Sequence, residues 1–185
     1  RWSFPGEGQT SFTIPDLPGK TGYFGVNYYS RVHLRFRGVL GPFGEFFYRD
    51  RAGRGLTDTG WEIHPQGFDR VLRRAAQAGL PILVTENGIA TGNDSIRRAF
   101  LREHTLVLAH HLAGGTPIEG YFYWSLLDNF EWLEGFRPRF GLFEVDYATL
   151  ARRRRPSADL FAALGRRFTD GHIYSSGPAS SEAAG

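Results

Sequence analysis

The sequence predicts an α/β fold built on a parallel sheet, and two observations support that prediction. Three apolar runs rich in β-branched and aromatic residues alternate with segments that repeat apolar residues at helical spacing. Each run also stops at polar residues, most clearly at 81–88, where Pro-Ile-Leu-Val precedes the turn-forming Thr-Glu-Asn-Gly. Alternating strands and helices imply parallel strands joined by helical crossovers, as in a (β/α) barrel.

The first half of the chain contains one predicted strand and one predicted helix. Residues 1–21 are rich in Gly, Pro, Ser and Thr and are expected to be irregular, whereas 23–29 is typical of a buried strand. Residues 32–60 hold many Gly and Arg between aromatic residues, which indicates a long loop that includes a hairpin. Pro65 suits the first turn of a helix and Gly79 suits its end. The apolar residues at helical spacing between them are Phe68, Val71, Leu72, Ala75 and Ala76.

A long helix and a third strand follow the strand at 81–86. Asp94 or Ser95 is expected to cap the helix, and the Gly pair at 114–115 is expected to close it. Its predicted inner residues are Ile96, Phe100, Val107 and Leu108. Residues 120–125 form the third predicted strand. Three parallel strands leave two open sheet edges that need covering, so the sequence predicts part of a larger sheet.

The last segments are a predicted helix at 158–168 and a small, polar tail. Residues 173–185 are assigned to that tail and expected to be disordered, and 1–172 are assigned to the folded unit. The run Arg152 to Arg155 is interpreted as the solvated start of the last helix, because a single basic run is a poor nucleic-acid footprint. No Met is present, even at position 1, so we expect further sequence upstream.

Composition narrows the class of protein. The chain of 185 residues is 41% hydrophobic with a formal net charge of +3, which is typical of a globular protein. It contains no cysteine, which excludes disulfides and thiolate metal sites and agrees with a cytoplasmic location. The histidines at 104, 110 and 111 lack a His-Glu-x-x-His motif and are interpreted as surface or core residues. We expect no metal, no cofactor, no nucleic-acid partner and no membrane span.

Polar and aromatic residues follow all three predicted strands, and the carboxyl ends of parallel strands lie at one edge of a sheet. The residues are Asn27, Tyr28 and Tyr29, then Glu86 and Asn87, then Trp124, Asp128, Asn129, Glu131 and Trp132. Carboxylates can bind sugar hydroxyls, an indole can stack on a sugar ring, and an ionised Glu86 can attack an anomeric carbon. Tyr29 can donate to Glu86 and so fix its rotamer in the charged form. The alternative is that the aromatic residues fill a barrel mouth and Glu86 pairs with an arginine; spacing does not separate the two.

Several longer motifs resemble the family 1 glycoside hydrolases, the β-glucosidase family. They are Gly-Val-Asn-Tyr-Tyr at 25–29, Asp-Thr-Gly-Trp-Glu-Ile-His-Pro at 58–65, Val-Thr-Glu-Asn-Gly at 84–88, and Tyr-Phe-Tyr-Trp-Ser-Leu-Leu-Asp-Asn-Phe-Glu-Trp at 121–132. Arg-Phe-Gly-Leu at 139–142 and Val-Asp-Tyr at 145–147 continue the match in order, so that it covers 22–168. The resemblance implies a (β/α)8 TIM barrel and retaining hydrolysis of β-glycosides.

The resemblance assigns a role to each matching position. Glu86 corresponds to the nucleophile, Tyr29 to the tyrosine that hydrogen-bonds it, and Asn27 to an active-site asparagine. The substrate-binding positions are Glu131 and Trp132, which grip the sugar hydroxyls, Trp124 beneath the ring, and Phe140 near that pocket. Glu131 should repel a sugar phosphate, which implies an unphosphorylated sugar. The segment 135–138 departs from the family pattern, and the preferred sugar and aglycone stay open.

The family's acid/base glutamate lies in an Asn-Glu-Pro motif on the fourth strand, and this sequence contains no such motif. The chain therefore resembles about strands six to eight, the C-terminal part of a TIM-barrel glycosidase domain. We expect a second polypeptide with the N-terminal strands and Asn-Glu-Pro to complete the split barrel and supply the acid/base glutamate. The alternative is a non-catalytic sugar-binding or vestigial barrel fragment.

Overall fold

The computed structural model describes residues 19–35, 45–50 and 53–169. Three α-helices, one short 3-10 helix (Trp132–Glu134) and seven strands are assigned within these residues. In chain order the strands and α-helices are β1 (Phe24–Tyr28), β2 (His33–Arg35), β3 (Glu45–Phe47), α1 (Pro65–Ala76), β4 (Ile82–Asn87), α2 (Asp94–Ala113), β5 (Ile118–Tyr123), β6 (Phe143–Val145), β7 (Arg152–Arg154) and α3 (Pro156–Thr169). Residues 1–18 of the expected irregular segment at 1–21, and the whole expected tail at 173–185, lie outside the described residues.

The central sheet has three parallel strands in the order β1-β4-β5. The order of strands in the sheet follows the order in the chain, and α1 and α2 provide the two crossovers. This confirms the predicted parallel sheet with helical connections. Within the described part of the chain, β1 and β5 each have a neighbour on one side only.

One face of the sheet packs on the helices. The first apolar cluster joins β1, β4, α1 and α2 and contains Val26, Tyr28, Phe68, Leu72, Ala75, Ile82, Val84 and Leu108. The second joins β5, α2 and α3 and contains Ile63, Ile89, Phe100, Leu101, Tyr123, Leu142 and Ala158. On the other face Phe122 is 59% exposed, so the side of the sheet away from the helices carries uncovered apolar surface.

Helix α1 begins at Pro65, as its sequence predicts, and packs closely on β1. The hydroxyl of Tyr28 donates to the His64 carbonyl at 2.6 Å, directly before the helix. A Cβ at Gly67 would lie 2.1 Å from the same hydroxyl, so only glycine allows this approach. The contact fixes where β1 ends relative to the start of α1.

Helix α2 differs from its prediction at two points. Its N-cap is Asn93, which accepts from the Ser95 amide at 3.0 Å, and not Asp94 or Ser95. Asp94 is instead the first helical residue, where its carboxylate accepts from the side chain of Arg97 and from the Ser157 amide of α3. Ile96 is 36% exposed and does not belong to the inner face. The cap differs from the prediction because the Asp94 carboxylate serves Arg97 and α3, while the Ser95 hydroxyl accepts from Arg98.

The segment that leads into α3 also differs from its prediction. Arg152 to Arg154 form β7, which pairs antiparallel with β6 and is exposed, so these three residues are solvated but extended rather than helical. Arg155 is not solvated as predicted, because its side chain is largely buried in an ion pair with Asp128. Helix α3 begins at Pro156, two residues before the predicted start. The long loop at 32–60 contains the expected hairpin, since β2 pairs antiparallel with β3. No helix in the described residues is long and apolar enough to cross a membrane.

Candidate active site

Glu86 lies one residue before the end of β4, at the carboxyl edge of the sheet. The phenol of Tyr29 donates to its Oε2 at 2.7 Å. Burial, followed by this hydrogen bond and by the charges of Glu86 and Glu131, raises the pKa of Tyr29 above its ordinary value. Tyr29 therefore stays protonated and acts as a neutral donor, which is the contact that the sequence predicts.

Two aromatic rings hold Tyr29 in place. Phe140, which is 3% exposed, meets the Tyr29 ring edge-on with centroids 6.0 Å apart, and Trp61 does so at 5.7 Å. The sequence places Phe140 near the site but does not single out Trp61. The backbone of Trp61 is anchored because its amide donates to the Thr57 hydroxyl at 3.0 Å. Its position in the motif at 58–65 is the only sequence signal for this role.

Asn27 lies on β1 opposite Glu86 in the strand register. Its Oδ1 accepts from the hydroxyl of Thr85 at 2.6 Å. The residue faces away from the helices and is exposed. The structure thus places Asn27 and Glu86 side by side on neighbouring strands.

Trp124 and Glu131 form a second pair. The indole Nε1 of Trp124 donates to Glu131 Oε1 at 3.0 Å. Glu131 is half-buried and begins a tight turn in which its amide donates to the Gly135 carbonyl at 2.8 Å, with Gly135 at a φ of 62°. Trp132 follows with its side chain in solvent, 86% exposed. The Glu131 carboxylate, the Trp124 indole and the exposed Trp132 ring therefore lie together in the segment after β5.

The two pairs are joined where β4 meets β5. The amide of Trp124 donates to the Asn87 carbonyl at 2.9 Å. Gly88 packs so closely against the Trp124 carbonyl oxygen that a Cβ at this position would overlap it. Glu131 is also close enough to Tyr29 for its charge to contribute to the raised pKa of the phenol. The predicted residues Asn27, Tyr29, Glu86, Trp124 and Glu131 therefore share one edge of the sheet.

The sequence places Asp128 among the converging polar residues, but its contacts are those of a buried residue that holds the fold together. Its side chain is fully buried and accepts from both terminal nitrogens of Arg155, at 3.0 and 2.9 Å, and from the Gly141 amide at 2.9 Å. Burial acts to raise its pKa, but the Arg155 and Gly141 hydrogen bonds outweigh burial and the pKa is lowered. Through Arg155, Asp128 ties the start of α3 to the loop that contains Glu131.

Glu62 is a second buried carboxylate that the sequence does not reveal as such. It accepts two hydrogen bonds from Arg31, at 2.6 and 2.8 Å, and lies 3.2 Å from His33 Nε2. The ion pair fixes the segment after β1 to the segment that carries Trp61. Two predicted core histidines are buried: His104 packs on Phe100 at 3.7 Å between ring centroids, and His111 lies 3.0 Å from Asp69. No group of metal-ligating residues occurs among the described residues.

Comparison with known proteins matches most of the chain to one family. The family model for glycosyl hydrolase family 1 matches residues 15–168. A β-galactosidase of Pyrococcus woesei is 36% identical over 178 residues, covering 85% of this chain and 34% of that protein. A β-galactosidase of Saccharolobus solfataricus is 38% identical over 165 residues, again covering 85% of this chain and 34% of that protein. The chain thus spans about a third of the length of these relatives.

Solved structures give the same result. A β-glycosidase from Pyrococcus horikoshii superposes with a TM-score of 0.72 at 40% identity, covering 78% of this chain and 34% of that chain. A family 1 β-glucosidase from Thermotoga maritima in complex with isofagomine lactam gives 0.72 at 34% identity, with 80% and 35% covered. The three-stranded unit therefore corresponds to part of a TIM barrel.

Proposed function

The chain belongs to glycosyl hydrolase family 1, and on that premise we propose that it forms the C-terminal part of a barrel that hydrolyses β-glycosides with retention. The observation that carries the proposal is the 2.7 Å hydrogen bond from Tyr29 to Glu86 at the carboxyl end of β4. A carboxylate held there by a neutral donor keeps its negative charge available for an electrophilic carbon. Relatives named β-galactosidase and β-glucosidase support the choice of substrate class.

In this proposal Glu86 is the nucleophile. One carboxylate oxygen forms a bond to the anomeric carbon while the bond from that carbon to the leaving-group oxygen breaks. Water then cleaves the glycosyl–enzyme ester, so the anomeric configuration is retained. Tyr29 holds the other oxygen, Oε2, and Asn27 lies beside Glu86 toward the substrate.

The sugar is proposed to bind over Trp124 with its hydroxyls on Glu131 and Trp132. Trp124 orients Glu131 through its indole N–H at 3.0 Å, which leaves the other carboxylate oxygen for a sugar hydroxyl. An ionised Glu131 repels a phosphate group on the same sugar. We therefore propose an unphosphorylated glycone, with Phe140 completing the wall behind Tyr29.

Retaining hydrolysis also needs a general acid about 5–5.5 Å from the nucleophile. We propose that the N-terminal strands of the barrel supply it in an Asn-Glu-Pro motif, on a second polypeptide. Within the described residues β1 and β5 each pair on one side only, which supports this, as does a cavity of about 390 Å³ beside β5. Its apolar lining includes Leu108, Ile118, Tyr121, Phe161 and Phe168. Mass spectrometry of the purified active protein should detect a chain with Asn-Glu-Pro; activity with residues 1–185 as the sole polypeptide contradicts the split arrangement.

Trapping of the covalent intermediate tests the nucleophile. A 2-deoxy-2-fluoro β-glucoside with a good leaving group should add one fluoroglycosyl unit to the active protein, on the peptide that contains Glu86. The Glu86→Gln variant should not be labelled, while Glu144→Gln, an exposed carboxylate on β6, should be labelled like the wild type. Labelling at another carboxylate contradicts the assignment. Binding of an iminosugar without labelling or turnover supports the non-catalytic alternative instead.

A further inference from the structure

Between Val84 and Asn87, strand β4 carries one extra residue relative to the facing segments of both neighbouring strands. On the β1 side, Val26 pairs with Val84 and Asn27 with Glu86, so Thr85 has no partner. On the β5 side, Val84 pairs with Tyr121 and Asn87 with Tyr123, so Thr85 and Glu86 oppose the single residue Phe122. This is a β-bulge, a feature that bends a strand and changes the direction of its side chains.

The bulge changes which face of the sheet Glu86 occupies. In a regular strand successive side chains alternate between the two faces. Here Val84 and Asn87 are buried on the helix side, and the two residues between them, Thr85 and Glu86, are both only partly buried. One extra residue therefore places both side chains on the face away from the helices, and without it Glu86 would point toward them.

Side chains tie the bulge to the neighbouring strands on both sides. The hydroxyl of Thr85 lies 2.6 Å from Asn27 Oδ1 and 3.2 Å from the Val26 carbonyl. Asn87 is fully buried; its Nδ2 donates to the Tyr28 carbonyl at 2.6 Å, and its Oδ1 accepts from the Tyr121 hydroxyl at 2.8 Å. The residues before and after Glu86 are thus both held by hydrogen bonds to neighbouring strands.

We propose that Thr85 and Asn87 are positioning residues that hold the bulge in β4 and so keep Glu86 directed at Tyr29. The inference rests on the proposed role of Glu86 as nucleophile for its effect on catalysis. Its geometric part, the direction of the Glu86 side chain, does not depend on that role. Thr85 is the better residue to test, because it is partly exposed and valine replaces it without loss of shape or β-propensity.

The test compares Thr85→Val with Thr85→Ser in the protein with its complete barrel. The valine variant loses the hydroxyl, and kcat should fall about 10- to 100-fold, the scale of a misplacement of roughly 1 Å. KM should change by no more than about 2-fold, because Trp124 and Glu131 are untouched. The serine variant keeps the hydroxyl and should retain kcat to within about 2-fold. A crystal structure of the valine variant should show Glu86 Oε2 more than about 3.5 Å from the Tyr29 hydroxyl.

Three results would overturn the inference. In the valine variant, kcat could stay unchanged with the 2.7 Å contact between Glu86 and Tyr29 intact, or the kinetic loss could be confined to KM. Alternatively, the valine and serine variants could lose kcat equally, in step with a lower unfolding temperature. Failure of the proposed function is distinguishable from these. A wild-type protein that neither turns over nor is labelled contradicts the nucleophile assignment. Displacement of Glu86 in the valine structure would still support the positioning role.

Discussion

The carboxylates of this protein differ in the chemical nature of their partners. Glu86 and Glu131 each accept from a neutral aromatic donor, the phenol of Tyr29 and the indole of Trp124. The buried Asp128 and Glu62 are instead neutralised by guanidinium groups. A neutral donor orients a carboxylate and leaves its negative charge available, whereas an arginine partner compensates it. The partner therefore separates proposed catalytic carboxylates from structural ones.

Replacement of Tyr29 by phenylalanine tests this view of Glu86. The ring keeps its contacts with Trp61 and Phe140, so the unfolding temperature should change little. Loss of a hydrogen bond to a charged group, worth about 1.5–3 kcal/mol, should lower kcat/KM about 10- to 100-fold. Tyr147→Phe serves as the control, because it removes a phenol that donates to the Asn129 carbonyl and not to Glu86. Equal kinetic losses in both variants would contradict a specific role for Tyr29.

At the scale of secondary-structure elements, the contact between the ends of β4 and β5 depends on one glycine. A Cβ at Gly88 would lie 1.7 Å from the carbonyl oxygen of Trp124, which is backbone and cannot rotate away. Gly88→Ala should therefore destabilise the protein by about 1–3 kcal/mol and displace Trp124. Gly92→Ala is the matched control, since its Cβ would lie 3.8 Å from Asp58 Oδ2 in ordinary contact.

Denaturant unfolding and glycone affinity are the measurements for this pair of variants. The Gly88 variant should lose both stability and sugar binding, and the Gly92 variant should stay within about 0.5 kcal/mol of wild type. Wild-type affinity in a folded Gly88→Ala protein would show that the close approach does not position Trp124.

Helix α2 contains a titratable group in the apolar core. His104 is fully buried, and burial lowers its pKa to about 3. Below about pH 6.5 the unfolded chain binds a proton at this position that the folded protein does not. The free energy of unfolding should therefore decrease as the pH falls from about 6.5 toward 3, with a slope of up to ~1.4 kcal/mol per pH unit from this residue.

His104→Phe should remove that part of the pH dependence while keeping the ring stacked on Phe100. His110→Phe, on the exposed side of the same helix, should leave the dependence unchanged. Denaturant unfolding at a series of pH values between 4 and 7 provides the measurement. Parallel profiles for wild type and His104→Phe would show that His104 binds protons equally in the folded and unfolded states, and would contradict the prediction.

For the whole molecule, the uncovered face of the sheet is the main feature. Phe122, one residue before the end of β5, is 59% exposed, on the side that the proposed barrel would enclose. Residues 1–185 expressed alone should self-associate, and addition of the N-terminal barrel strands should give a discrete heteromer by size exclusion with light scattering. Phe122→Lys should weaken that heteromer by about 10-fold or more, because closure would bury a charge. Leu106→Lys, on the exposed side of α2, should not.

The order of elements and the main site contact were predictable because their signals are local. The apolar runs, the helical spacing before Gly79 and the turn after Glu86 are all readable within a few residues. Tyr29 and Glu86 end neighbouring parallel strands, and that alone brings a phenol to a carboxylate. The helix boundaries near Asp94 and Pro156 are less predictable, because the Asp94 carboxylate accepts from the Ser157 amide at the start of α3 rather than capping its own helix.

The sequence by itself therefore determined the parallel α/β unit, the family and the place of Glu86 at a strand end. Only the tertiary structure decided which carboxylates are neutralised and which way Glu86 points. Glu62 meets Arg31 across 31 residues, and Thr85 meets Asn27 across 58. A bulge exists only relative to the strands beside it, so one strand's pattern cannot reveal it. The direction of the proposed nucleophile depends on such contacts between residues far apart in the chain.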